Sequence, residues 1–209
     1  MPIVTTGFHL FLAYVLYRLA RRVTRNPRAS VIIRGLRPRH FGRAAALIVP
    51  VAVCAGLLLH YVPLLQWGWW RVLTGRENEG LMPSGDARRA EVLPLVLSLV
   101  VLSIFVLCAP MLAHWEEQQY RRRSELQSGA DRFLRQLRFG LAHLVMGIPV
   151  GFALALTVAG LGFMRAYLVG GGRAGHRGKG VLEATRTHLA YNWLAAGVAI
   201  AVLLSSLLW

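Results

Sequence analysis

The sequence predicts an all-α membrane protein, a polytopic bundle of about six membrane segments within a single domain that covers residues 1–209. Of the 209 residues, 56% are hydrophobic and only 16% are charged, which leaves too little polar surface for a soluble domain. Several apolar runs approach or exceed the roughly 20 residues that a bilayer-spanning helix needs. Arginines are concentrated in the connections between these runs, as in the cytoplasmic loops of membrane proteins.

Five apolar runs define the predicted segments, and the fourth run is long enough for two. The runs cover residues 3–20, 43–67, 92–115, 137–169 and 187–209. The first run has no basic residues before it and no small-residue cleavage pattern after it, so it is predicted as a retained span instead of a signal peptide. The region 1–91 then holds two spans joined by a basic loop, and the region 92–209 holds the remaining segments.

The fourth run is about 33 residues, or about 50 Å at 1.5 Å per residue, which is far too long for one span. It is interrupted by Gly-Ile-Pro-Val-Gly at 147–151, a composition typical of a turn or a sharp kink. We therefore predict that segments 4 and 5 form a hairpin linked by glycine and proline. This arrangement also returns the basic segment 170–186 to the side from which the hairpin began.

Charge in the loops predicts the orientation. The connection 21–43 carries many arginines and no acidic residue, whereas 68–91 has four arginines balanced by four acidic residues. The positive-inside rule places the first of these loops in the cytoplasm and the second outside. The loops 116–136 and 170–186 are then cytoplasmic as well. Because nearly all of the 24 basic residues are arginine and alanine is abundant, a GC-rich bacterial genome and a bacterial inner membrane are predicted.

The net charge of +15 does not by itself predict nucleic-acid binding. The arginines lie between apolar runs, and no basic stripe alternates with aromatic residues. Membrane lipids are the predicted partners of the apolar surface, and no nucleic acid is expected. Cys54 and Cys108 each lie inside an apolar run without a second cysteine nearby, so neither a redox pair nor a thiolate zinc site is predicted.

Polar residues sunk in the predicted segments form the candidate site. Glu116 and Glu117 end the third segment, His143 is predicted about one turn into the fourth, and His188 begins the sixth with Asn192 one turn further along the same face. All would lie at a similar depth in the inner half of the membrane. A carboxylate, two imidazoles and an amide together could activate water and stabilise an oxyanion, which favours a hydrolase.

Each residue taken alone also has a structural interpretation. Glu117 and Arg121 could be an ordinary helix pair at i and i+4, and each histidine could simply be packed. The combination is more specific, because it resembles the three motifs of the CaaX prenyl-protease family, including its bacteriocin-processing branch. The resemblance covers roughly residues 92–209 and is carried by Glu116-Glu117-x-x-x-Arg121, Phe139-x-x-x-His143 and His188-x-x-x-Asn192, in this order on successive helices.

The resemblance implies an intramembrane endopeptidase that uses glutamate in place of a serine or cysteine nucleophile. It implies that Glu116 activates water with help from His143, while His188 and Asn192 stabilise the oxyanion. It also implies that the remaining motif residues, Glu117, Arg121 and Phe139, support the site.

Two points stay open at the level of sequence. The resemblance implies a mechanism without a cofactor, but zinc is an alternative, since two histidines and a glutamate can bind zinc; the absence of an HExxH motif ranks it lower. The expected substrate is a membrane-associated peptide or lipidated peptide. A non-catalytic membrane partner on the same fold, such as an immunity protein, a maturation factor or a subunit of a larger membrane complex, is the alternative function.

Overall fold

A computed structural model describes residues 2–69 and 92–205, and all regular structure in this part of the chain is helical. This confirms the predicted all-α class. Short 3₁₀ turns cover Pro63–Gln66, Ser124–Leu126 and His143–Met146, and a π-turn covers Leu168–Gly172. The α-helices are α1 (Pro2–Thr24), α2 (Pro27–Arg34), α3 (Pro38–Tyr61), α4 (Val92–Tyr120), α5 (Gly129–Ala142), α6 (Val150–Tyr167) and α7 (Arg177–Ser205).

Four helical stretches in the described residues are long and apolar enough to cross a membrane, judged by length and composition. They are Pro38–Tyr61, Ser98–Leu126, Val150–Gly172 and Arg177–Ser205. The predicted number of about six is not confirmed. Helix α5, of which only the second half lies in the predicted fourth run, has 14 residues, or about 21 Å at 1.5 Å per residue. Most of the predicted outer loop, residues 70–91, and residues 206–209 lie outside the described residues.

Two helices begin earlier than their apolar runs. Helix α5 begins at Gly129, where the Ser128 side chain accepts a hydrogen bond from the Asp131 amide, and α7 begins at Arg177. Hydropathy locates apolar residues, but backbone hydrogen bonding continues through the polar residues that precede them. The predicted position of His143, about one turn into its helix, is therefore wrong, because it follows the last residue of α5. His188 lies about three turns into α7 instead of at its start.

Helices α3, α6 and α7 pack against one another at the centre of the bundle. Helix α4 packs against α7 and carries α1 on its other side, and α5 packs along α6. Small buried residues at the central contacts, including Ala44, Ala155, Ala159 and Ala190, allow the helix backbones to approach closely.

Helices α5 and α6 form the predicted hairpin. A Cβ added to Gly140 would contact Ala153, and one added to Gly160 would contact Gln136, so the two helices run antiparallel. Gly147, in the connection, has φ of 81°, a left-handed conformation that glycine adopts without steric cost. The two helices therefore form a hairpin, but α5 is short and amphipathic and is not among the stretches that can cross a membrane, so a hairpin of two membrane segments stays a prediction.

The connections divide between the two ends of the bundle. At one end, Glu183 near the start of α7 pairs with Arg43 near the start of α3, and Arg177 pairs with Glu125 of the α4–α5 connection. At the other end, the Val150 amide donates to the Trp67 carbonyl at 2.9 Å. The described parts of the predicted cytoplasmic loops therefore share one end.

Candidate functional site

Three of the predicted site residues, His143, His188 and Arg121, lie around one aromatic side chain, Phe139 of α5. Its buried ring meets His143 and His188 edge to face, with centroids 4.9 and 5.7 Å away. Phe163 of α6 stacks on His188 at 4.3 Å with an interplanar angle of 18°. His188 of α7 is therefore contacted from three other helices, by Glu116 and Glu117 of α4, Phe139 of α5 and Phe163 of α6. From the sequence, Phe139 was predicted to have only a supporting part.

Glu117 is the buried anchor of the site. Its Oε1 lies 2.9 Å from His188 Nδ1 and 3.2 Å from Arg121 Nη1, and all three residues are at most 3% exposed. An ionised carboxylate can only accept hydrogen bonds, so His188 carries a proton on Nδ1 and donates it to Glu117. This bond fixes the orientation of the His188 ring.

Glu116 lies on the other side of the same imidazole. Its Oε2 is 3.6 Å from His188 Nε2, which is too long for a hydrogen bond but within ion-pair distance. Its side chain keeps 23% exposure, whereas that of Glu117 has none. A proton on His188 Nε2 would therefore point toward the Glu116 carboxylate.

Arg121 contacts both Glu117 and Phe139. Its guanidinium carbon lies 3.9 Å from the centroid of the Phe139 ring, a cation–π contact, and the residue is completely buried. Gly160 of α6 makes the space, since a Cβ there would come within 3.0 Å of Phe139 and 3.2 Å of Arg121 Nη2. The planar guanidinium therefore supports both the Glu117 carboxylate and the ring that contacts the two histidines.

His143 and Asn192 differ in how firmly they are held. His143 Nδ1 lies 2.9 Å from the Phe139 carbonyl, so it donates there and leaves Nε2 as the free acceptor of the neutral ring. Asn192 is half-buried one turn beyond His188, and its side chain makes no hydrogen bond to another described residue. Its predicted contact with an oxyanion stays a prediction.

A second polar contact between α4 and α7 was not predicted from the sequence. His114 Nδ1 lies 3.2 Å from the hydroxyl of Thr185, which itself donates to the Val181 carbonyl at 2.7 Å. The hydroxyl oxygen therefore accepts a hydrogen bond from His114 Nδ1. His114 precedes Glu117 by one turn and Thr185 precedes His188 by one turn, and this shared spacing is the signal that could have identified the pair.

An ion-pair cluster between α3 and α7 was missed as well. Glu183 pairs with Arg39 at 3.0 Å, with Arg43 at 2.7 Å and with the completely buried His40 at 3.2 Å. Glu183 is the only acidic residue between position 170 and the end of α7 at Ser205. A single acidic residue among basic residues is the sequence feature that could have identified this cluster.

Within residues 2–69 and 92–205, no three histidine, cysteine, aspartate or glutamate side chains are grouped so that they could hold a metal ion. Comparisons with protein-family models, with curated proteins and with solved structures found no match to this chain. The likeness of its three motifs to CaaX prenyl proteases therefore stays a prediction, and function is argued from the geometry of the site.

Proposed function

We propose that this chain is an intramembrane endopeptidase of the CaaX prenyl-protease type, which hydrolyses a membrane-associated peptide with water activated by Glu116. The observation that supports this most directly is the position of His188 between two carboxylates. Glu117 lies 2.9 Å from one ring nitrogen and Glu116 lies 3.6 Å from the other. Glu117 is paired and fully buried, whereas Glu116 is half-buried. This difference supports a holding role for Glu117 and a proton-transfer role for Glu116.

In this proposal Glu116 is the base, because it is the carboxylate of the pair that keeps exposure. Glu116 removes one proton from water while the water oxygen attacks the scissile carbonyl carbon. The free Nε2 of His143 is the second group that can accept a hydrogen bond from this water. Once Glu116 is protonated, an N–H at Nε2 of His188 no longer faces a charged carboxylate and can donate a hydrogen bond to the oxyanion. The Asn192 amide, one turn further, is the second proposed donor.

The tetrahedral intermediate then collapses by breaking the carbon–nitrogen bond, and Glu116 returns its proton to the leaving amine. Glu117 does not exchange protons in this scheme. It holds His188, while Arg121 and Phe139 hold Glu117 and the histidine rings by the contacts described above.

The proposed setting is a bacterial inner membrane, with the arginine-rich end of the bundle in the cytoplasm. The proposed substrate is a peptide or lipidated peptide that reaches the site from the membrane. No cofactor is needed for the scheme. A zinc ion on two histidines and a glutamate is the competing mechanism.

The test is Glu116→Gln in purified, membrane-reconstituted protein, assayed on a peptide pool from native membranes. The change keeps the shape and most hydrogen bonding of the side chain but removes the proton acceptor. Turnover should fall by about 100- to 10,000-fold while folding and peptide binding persist. Gln119→Asn, an exposed amide on the same helix, is the matched control and should leave turnover unchanged. A strong chelator should leave activity intact, whereas its loss would support zinc.

The competing function is a non-catalytic membrane partner, such as an immunity protein, a maturation factor or a subunit of a larger complex. It predicts that the purified chain cleaves nothing in the pool and instead co-purifies with a stoichiometric partner. If that association also survives Glu116→Gln, the endopeptidase proposal is wrong.

A further inference from the structure

The end of the bundle that includes the starts of α3 and α7 has a strongly basic segment, residues 21–43, here called the arginine collar. It contains the end of α1, all of α2 and the start of α3. No acidic residue occurs in it. In the described part of the chain the only exposed acidic residue is Asp131, so most of the collar's charge has no protein counterion. The exposed arginines of the collar are Arg21, Arg22, Arg25, Arg28, Arg34, Arg37, Arg39 and Arg43.

Helix α2 gives the collar an apolar component. Its Ile32 is completely buried and packs in a cluster with Ala109 of α4 and Leu189 of α7. The neighbouring Val31 and Ile33 are 53% and 42% exposed. Exposed aliphatic side chains between arginines are typical of a helix that lies in the membrane interface, with its apolar groups among acyl chains and its charges among headgroups.

The position of the collar fits this interpretation. It leads directly into Pro38–Tyr61, one of the stretches that can cross a membrane, so it lies at the edge of the apolar part of the bundle. We propose that the arginine collar is a docking surface for anionic phospholipid headgroups. The guanidinium groups donate to the lipid phosphates, and Val31 and Ile33, which flank the buried Ile32 on opposite sides of α2, contact lipid where α2 borders the bundle.

The collar is also tied to the helix that carries His188. Arg186 of α7 donates to the carbonyls of Val31 at 3.2 Å and Ile32 at 3.4 Å. Gly35 leaves the space for this contact, since a Cβ there would overlap the Arg186 guanidinium. Lipid that immobilises α2 therefore also stabilises α7 two residues before His188. The consequence for catalysis rests on the proposed function, whereas lipid binding does not.

The first test measures binding of phosphatidylglycerol and of phosphatidylcholine to the full chain in neutral detergent micelles, by native mass spectrometry. Arg28→Gln/Arg34→Gln is compared with Arg173→Gln/Lys179→Gln, which removes two exposed charges, one from the α6–α7 connection and one from the first turn of α7. Phosphatidylglycerol should bind preferentially to the unmodified chain. The collar variant should bind it about 25-fold more weakly, about fivefold for each arginine, and the control variant should not.

Three results would overturn the docking surface. They are equal binding of the two lipids, equal loss in both variants, and displacement of phosphatidylglycerol by a short oligonucleotide at physiological salt. The last result would identify the collar as a nucleic-acid surface instead.

The second test measures amide hydrogen exchange in residues 183–192. Phosphatidylglycerol should slow exchange there in the unmodified chain but not in Arg186→Gln, although that variant should still bind the lipid. Gly35→Ala, which displaces Arg186 without removing its charge, provides the same comparison if Arg186→Gln does not fold. Equal slowing in these variants, or none in the unmodified chain, would refute the coupling. Neither test needs a substrate, so both are independent of the endopeptidase assay.

Discussion

Replacement of Arg121 by alanine should strongly destabilise the protein. The side chain is completely buried, its Nη1 lies 3.2 Å from Glu117 Oε1, and its guanidinium stacks on Phe139 at 3.9 Å. An exposed ion pair would contribute about 0–1 kcal/mol. Breaking a buried pair instead leaves one charge without its partner, so we expect Arg121→Ala to lower the free energy of unfolding by about 3–5 kcal/mol.

The assay is equilibrium unfolding of purified protein in mixed micelles, followed by circular dichroism. Arg122→Ala is the matched control, because Arg122 is the exposed neighbour and its loss should change the free energy of unfolding by no more than about 0.5 kcal/mol. The double variant Glu117→Gln/Arg121→Met removes both charges while keeping similar volumes, and the amide oxygen of the introduced glutamine remains an acceptor for His188. It should recover much of the stability lost in Arg121→Ala.

The reasoning would be refuted by a loss below about 1 kcal/mol for Arg121→Ala, the value of a surface pair. It would also be refuted if the double variant were less stable than Arg121→Ala, since the two charges would then not compensate one another. A normal yield and stability of Arg121→Ala with a selective loss of turnover would assign the residue to chemistry instead of assembly.

The remaining predictions concern catalysis, packing, topology and the α3–α7 cluster. His143→Ala should lower turnover about as much as Glu116→Gln, and the two changes together should cost little more than either alone, because both groups serve one proton transfer; additive losses would argue against this. Gly160→Ala should destabilise the fold by about 1–3 kcal/mol through contact with Phe139 and Arg121, and melting curves that match the unmodified protein would contradict it. A cysteine at position 176 in a cysteine-free background should resist an impermeant thiol reagent added outside intact cells, and its labelling would overturn the proposed orientation. Glu183→Gln should cost about 1–3 kcal/mol by leaving the buried His40 without a charged acceptor, and an unchanged denaturation midpoint would show that the cluster does not stabilise the fold.

The sequence by itself determined the helical class and the separation of α5 from α6. Long apolar runs favour helices, and Gly147 and Pro149 favour a break between them. Both are local features whose effect on the backbone does not depend on tertiary contacts. The same holds for the spacing of the motif residues along each helix. Helix boundaries were less accessible, because α5 and α7 extend into polar residues that hydropathy assigns to loops.

Only the tertiary structure decided which polar groups meet. Glu117 and His188 are 71 positions apart, and Arg43 and Glu183 are 140 positions apart. Helices such as α4 are apolar on nearly every face, so their sequence carries no amphipathic stripe to show which side faces a neighbour and which faces lipid. Packing therefore determined that Glu117, and not Glu116, holds His188, and that His143 comes to the site from the far end of α5.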